Sequence, residues 1–157
     1  MKKARPSATI ENKKARRNYE VLETLEAGIV LTGSEVKSLR AGRARLDDAH
    51  AVASGSGLAL LNMQIGRYTH ASVFNHEEKR TRQLLLHKKE ILQLKSQIQE
   101  KRMTVVPLKC YFNDRGRVKL LLGVARGKKQ ADKREDEKKK DAGREIARAL
   151  KDHNKRA

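Results

Sequence analysis

The chain has 157 residues, enough for one modest domain with extensions, and carries 37 Lys and Arg against 19 Asp and Glu, a net charge of +18. Such a balance selects polyanionic partners, nucleic acid first among them. Aromatic residues make up 3% and Trp is absent, which is too few for a platform that stacks successive single-stranded bases, so folded shape and phosphates are the expected targets.

A membrane surface is the competing polyanion, but no stretch nears the roughly 20 apolar residues of a spanning helix. No apolar run follows the first basic residues as it would in a secretory signal. The single Cys110 has no internal partner for a disulfide, which suits a reducing compartment. The cytoplasm is the expected location.

Residues 1–18 hold seven Lys and Arg and one acid, Glu11. Without apolar periodicity they read as a mobile basic arm over 1–11 that becomes ordered near Asn12. The segment Asn12 to Arg17 abuts the first strand and is expected to touch RNA. Tyr19 to Leu25 alternates as a half-buried strand, and Ile29 to Thr32 is β again. Gly28 between them marks either a tight hairpin or a bulge in one long strand. Thr32 or Ser34 can cap a helix with Glu35 in its first turn. Val36 and Leu39 would face the core while Lys37 and Arg40 would not, and Gly42 is a fitting stop. Arg40, Arg43 and Arg45 form a basic edge.

Ala49 to Ala53 and Leu58 to Asn62 flank Ser54-Gly55-Ser56-Gly57, a hairpin signal. Residues 66–82 read as a polar surface loop. Its His70 and His76 have no Cys or carboxylate cluster beside them, so no metal site is expected. Leu84 to Leu86 is a buried strand, and Lys88 to Lys101 a helix with Ile91, Leu94 and Ile98 on one face. Val106, Leu108, Cys110 and Phe112 alternate inward on the next strand, where Pro107 marks an edge or bulge. Asn113 to Gly116 turns that strand into Val118, Leu120, Leu122 and Val124, again alternating. The packed domain therefore covers 12–126. Residues 127–157 form a basic tail with a thin stripe of Ala142, Ile146 and Leu150, interrupted by Gly143 and marginal as a free helix. Mostly β segments, Gly-rich turns and two inserted helices point to a small antiparallel β-barrel.

No catalytic constellation stands out, and no cofactor is implied. Asp47-Asp48-Ala49-His50 lacks a second group that must converge on a substrate. A basic structural protein of the ribosome would explain the charge and the tail as well as an RNA-binding factor would.

Five blocks separate these readings. They are Asn12-Lys13-Lys14-Ala15-Arg16, the run from Glu26-Ala27-Gly28 through Thr32-Gly33-Ser34-Glu35-Val36 to Ala44, Thr81-Arg82-Gln83-Leu84-Leu85 through Glu90, Thr104-Val105-Val106-Pro107-Leu108, and Ala125 to Asp136. In this order they resemble the SsrA-binding protein family, SmpB, of bacterial trans-translation, over about residues 12–136. The resemblance implies an OB-like barrel that binds tmRNA near the elbow of its tRNA-like portion. It also implies a tail that enters the empty messenger channel of a stalled ribosome near the small-subunit decoding centre. Elongation factor Tu is left open as a further partner, and a monomer without a membrane attachment is expected.

By motif matching, Asn12, Glu26, Leu85 and Lys119 fall at tmRNA-binding positions. Lys13, Lys14, Arg16, Lys37, Arg40, Arg43, Lys88 and Arg126 are added as phosphate contacts. Gly127, Lys128, Lys129, Asp132, Lys133 and Arg134 are the tail positions expected to meet the ribosome. An acid at Glu26 does not serve phosphates: either it accepts from a base edge or 2′-hydroxyl, or it orders a neighbouring Lys or Arg. Leu85 reads equally as contact or as core. Ala131 departs from the family, which places His or an aromatic residue there.

Overall fold

The structure is a computed structural model that describes residues 8–69, 75–128 and 130–156, the backbone alone for 130–132 and 156. His70 and Lys129 lie outside the described residues, as do residues 1–7 of the expected arm. The elements run β1 (Ile10–Glu11), α1 (Lys13–Asn18), β2 (Tyr19–Ile29), α2 (Gly33–Arg40), β3 (Ala44–Arg45), β4 (His50–Ser54), β5 (Gly57–Leu61), β6 (Gln64–Ile65), β7 (Arg82–Leu85), α3 (Lys88–Gln99), β8 (Thr104–Phe112), β9 (Val118–Gly127) and α4 (Gln130–Arg156). Two compact units meet in sequence at Arg126 and Gly127.

In the first unit, six strands follow one another in the order β8-β4-β5-β7-β2-β9, and β9 pairs back onto β8, closing a ring. Closure removes the unpaired edges an open sheet would offer. Inside lie Leu58, Leu60, Met63, Val105, Leu120, Leu122 and Val124, with Leu39 of α2 packed among them. The alternation of β9 is as its sequence suggests. That of β8 breaks at a bulge between Pro107 and Lys109. Val105 and Cys110 face the main core, whereas Val106 and Leu108 face outward into a second cluster with Ala15 of α1 and Ala125. The expectation that Val106 and Leu108 share the inner face with Cys110 is therefore corrected: one extra residue in a strand reverses which side chains point inward. Cys110 sits in the apolar core, and burial pushes its thiol up to about 12, away from any nucleophilic role at neutral pH.

Gly28 makes no hairpin, because β2 runs through it as one strand. The inner-facing set switches upstream, between Val21, which packs under α1, and Leu25, which packs on the main core. Order begins before Asn12: Ile10 and Glu11 pair with Cys110 and Lys109 of β8. The hairpin of β8 and β9 turns as expected. The Asn113 side chain accepts from the amides of Arg115 and Arg117 at 3.1 and 2.9 Å, and Gly116 takes φ +74°, a conformation glycine tolerates.

The sequence pattern does not reveal α1. Asn12 caps it, accepting from the Ala15 amide at 2.9 Å, while its side-chain amide donates to the carbonyls of Leu46 and Pro107 at 2.9 and 2.8 Å. One buried side chain thus ties α1 to the loop before β4 and to the bulge of β8. Asn12→Ala is expected to lower stability by about 2–3 kcal/mol, a lost cap plus two buried carbonyls left without a donor. Asn12→Asp caps equally well but sets a carboxylate against those two carbonyls, so its urea midpoint should fall further. If Asp is tolerated better than Ala, the cap is the larger part.

The region expected to be a polar surface loop is anchored from within. His76 is buried; its Nε2 donates to the carbonyls of Ile65 and Gly66 at 2.9 and 3.1 Å, and its Nδ1 is 2.8 Å from Ser34 Oγ. Beside it, Glu35 of α2 is completely buried between two guanidiniums, with Arg80 Nε and Arg82 Nε each 2.8 Å from a carboxylate oxygen. Arg82, also fully buried, gives its remaining donors to the carbonyls of Met63, Arg80 and Glu78 at 2.6, 3.0 and 3.1 Å. One carboxylate thus holds α2 to the segment from Arg80 to Arg82, and Arg82 in turn holds the chain at Met63.

In the second unit, α4 includes Gly143 without a break. Every side chain from Lys138 to Lys155 is exposed, including Ile146 and Leu150. Lys128 is hydrogen-bonded to Asp136, and this bond holds the Asp136 carboxyl below its usual range.

Candidate nucleic-acid interface

Strand order puts four residues in a line across the outside of the ring. In the succession β8-β9-β2-β7, each strand contributes one: Tyr111, Lys119, Glu26 and Leu85. Tyr111 and Lys119 are register partners. The Tyr111 hydroxyl donates to Glu26 Oε2, and Lys119 Nζ lies 4.0 Å from Glu26 Oε1. Leu85 is the register partner of Gly28, two residues on from Glu26. A Cβ at Gly28 would stand 3.1 Å from Leu85 Cβ, so glycine is what lets the leucine lie across β2.

Leu85 is 56% exposed; the alternative that it is plain core is discarded. Lys119 and Leu85 line a groove of about 290 Å³ with Ile29, Leu31, Val36 and Arg117. Apolar side chains therefore form much of its surface, with two cations, Arg117 and Lys119, at its β9 side. Arg40 stands close by, its guanidinium 5.5 Å from the Phe112 ring centroid. Lys109 Nζ lies 5.6 Å from the Tyr111 ring centroid. Basic groups over aromatic faces keep their charge outward at little cost in solvation.

The α1 group lies on the outer face of the same strands, displaced along them. Ala125, under α1, is six residues from Lys119 on β9, about 20 Å in an extended strand. Lys13 and Arg16 are exposed there. Lys14 is exposed there too, and its ammonium pairs with Asp48 at 3.0 Å and depresses that carboxyl, a surface pair that a phosphate can replace. Asn12 is buried with both ends of its amide satisfied, so any influence on a ligand passes through the elements it ties together, α1, the loop before β4 and β8.

The other expected positions are spread more widely. Lys37 lies 5.4 Å from the Tyr68 ring centroid, Lys88 is exposed at the start of α3, and Arg126 Nε is 3.4 Å from Met103 Sδ. Arg43 borders a separate hollow of about 200 Å³ with Gly42, Arg45, Gln64 and Gly66. In the tail, Gly127, Lys128, Lys133 and Arg134 are described, whereas the side chains of Ala131 and Asp132 lie outside the described residues. Sequence reasoning missed Tyr111. The signal was present: an inward Cys110 and Phe112 leave the residue between them facing out.

Among the described residues, no group of three or more His, Cys, Asp and Glu could hold a metal ion. No helix among them is long and apolar enough to cross a membrane. What the outer face offers is phosphate neutralisation and shape, with one carboxylate set among cations.

Comparison with known proteins agrees with this chemistry. The family model described as SmpB protein matches residues 9–152. An SsrA-binding protein of Mesorhizobium japonicum is 52% identical over 154 residues, covering 97% of each chain. One of Brucella canis is 54% identical over 142 residues, covering 90% of each. A solved chain described as "tmRNA-SmpB: a journey to the center of the bacterial ribosome" is 49% identical, with a TM-score of 0.66 over 78% of this chain and 85% of its own.

Proposed function

The chain belongs to the SmpB protein family, and on that premise we propose that it binds tmRNA and brings it to stalled ribosomes for trans-translation. The barrel grips the tRNA-like portion, and the tail, residues 127–157, enters the vacant messenger channel near the decoding centre. The protein acts as an RNA-binding factor, not an enzyme, and works in the cytoplasm, where ribosomes stall.

The observation that carries the barrel's part is the line Tyr111–Lys119–Glu26–Leu85. A purely electrostatic binder would have no use for a half-exposed carboxylate and an exposed leucine in the midst of its cations. Both make sense for a folded RNA, where Leu85 packs on a sugar or base face and Glu26 accepts from a base edge or 2′-hydroxyl. Lys119 and Arg40 neutralise neighbouring phosphates, and α1 extends the basic surface with Lys13 and Arg16.

Glu26→Ala tests this reading. Affinity for the tRNA-like RNA should fall by about tenfold, the loss of one charge-assisted hydrogen bond. Affinity for a nonspecific duplex should hold or rise, because an acid has been removed from a polyanion binder. Gel-shift titrations with both RNAs decide it: equal or tighter binding to both would reduce Glu26 to a surface residue.

A further inference from the structure

We propose that Tyr111 is a positioning residue for tmRNA recognition, its hydroxyl holding one oxygen of Glu26 so that the other is presented to the RNA beside Lys119. The inference rests on the reading of Glu26 just given and adds a residue to it.

Four observations carry it. First, the Tyr111 hydroxyl donates to Glu26 Oε2, across the intervening strand β9. Second, Lys119, the register partner of Tyr111, lies 4.0 Å from the other oxygen, Oε1, at salt-bridge range but without a hydrogen bond that would consume its acceptor sites. Third, the Glu26 side chain is 53% exposed. A glutamate so placed on a pleated surface samples several rotamers, and fixing them is a cost that binding must otherwise meet. Fourth, burial, followed by the Glu26 carboxylate, pushes the Tyr111 hydroxyl up to about 12, so it remains a protonated donor at every pH near neutrality.

The chemistry that results is specific. With Oε2 engaged, Glu26 offers one acceptor beside one ammonium. That pair suits a nucleotide presenting an N–H or a 2′-hydroxyl next to a phosphate, the arrangement of a sugar–phosphate backbone. Without the phenol, the carboxylate is free to swing onto Lys119, where each would cancel the other.

The test is a double-mutant cycle on the full chain: wild type, Tyr111→Phe, Glu26→Ala, and the two together. Affinity is measured for the tRNA-like portion of tmRNA and for a nonspecific RNA duplex, with thermal midpoints as the check on folding. Phe keeps the ring and its packing, so the midpoint should not move. Tyr111→Phe should weaken binding to the tRNA-like RNA by about five- to tenfold and leave duplex binding unchanged; in the Glu26→Ala background it should change specific binding less than about twofold, since nothing remains to position. Coupling of this kind is not produced by a merely structural tyrosine, which would weaken both RNAs together and lower the midpoint. If Glu26→Ala weakens binding but Tyr111→Phe is neutral, or if the two losses add in full, Tyr111 does not act through Glu26 and the inference is overturned. If Glu26→Ala is itself neutral, the reading of the interface falls and this inference with it.

Discussion

Deleting residues 130–157 is expected to reduce peptide transfer on stalled ribosomes to the level seen without the protein. Affinity for tmRNA should stay within about threefold, roughly 0.7 kcal/mol. The separation follows from the division of the chain at Arg126 and Gly127 and from the proposed RNA-binding line, whose four residues all belong to the barrel strands. It follows too from α4, whose side chains from Lys138 to Lys155 are exposed along its length. A helix this charged, with a thin apolar stripe at Ala142, Ile146 and Leu150, takes little stability from burial and gains most on a surface that supplies partners. Lys133→Ala with Arg134→Ala should reproduce the deletion in part: normal tmRNA binding with slowed transfer. Ala131 has no ring to stack on a ribosomal base, a contact worth roughly 1–3 kcal/mol in such settings. On the proposed reading, phosphate contacts from Lys133 and Arg134 are then expected to carry more of the anchoring. A single-turnover peptidyl-transfer assay on ribosomes halted at the end of a truncated message measures both variants. A hundredfold loss of tmRNA affinity on deletion would instead move the binding site into the tail.

The largest loss of stability is expected from Glu35→Ala. Removing this carboxylate leaves Arg82 charged and fully buried with no counter-ion, and breaking such a pair costs about 3–5 kcal/mol, a large share of the total for a domain of this size. The urea midpoint should drop accordingly, and the loop from Glu78 to Arg82 should lose its protection from hydrogen exchange. Burial alone would raise the Glu35 carboxyl, but the hydrogen bonds and charges of Arg80 and Arg82 outweigh it, and the net shift is downward. A depressed folded value means that the carboxylate's stabilisation is fully present above the ordinary glutamate range and is lost as pH falls through the folded value. Wild type should thus lose stability on acidification below about pH 4.5, the unperturbed value, by more than Glu35→Gln does. Parallel acid limbs for the two proteins would mean that the buried carboxylate does not titrate with unfolding.

The strands were legible where a single period held. Val118, Leu120, Leu122 and Val124 alternate without interruption, and the structure buries all four. The Gly55 hairpin and the helix expected over 88–101, which ends at Gln99, were equally plain, since local turn chemistry and a 3.6-residue stripe need no partner to be read. Illegible were the features made by distant pairing. Glu35 looks like a favourable first-turn acid until Arg80 and Arg82 are brought to it over some 45 residues of chain. His76 looks like a loop residue until the carbonyls of Ile65 and Gly66 converge on it. The reversal of Val106 and Leu108 depends on a bulge whose presence Pro107 signalled but whose consequence required β1, β4 and β9 around it. The interface was half legible: Glu26, Leu85 and Lys119 could be singled out by motif, but their alignment is a product of ring order. Tyr111 joins them only once β8 is known to neighbour β9.

That alignment is tested most directly by cross-linking. A photoreactive residue placed at Leu85, in the full chain with tmRNA, should yield adducts confined to the tRNA-like portion. The same residue at Leu92, more exposed to solvent on α3 at 69% but outside the line, should yield few or none. Adducts from Leu92 with none from Leu85 would contradict the account, since the RNA would then lie on a different face of the barrel.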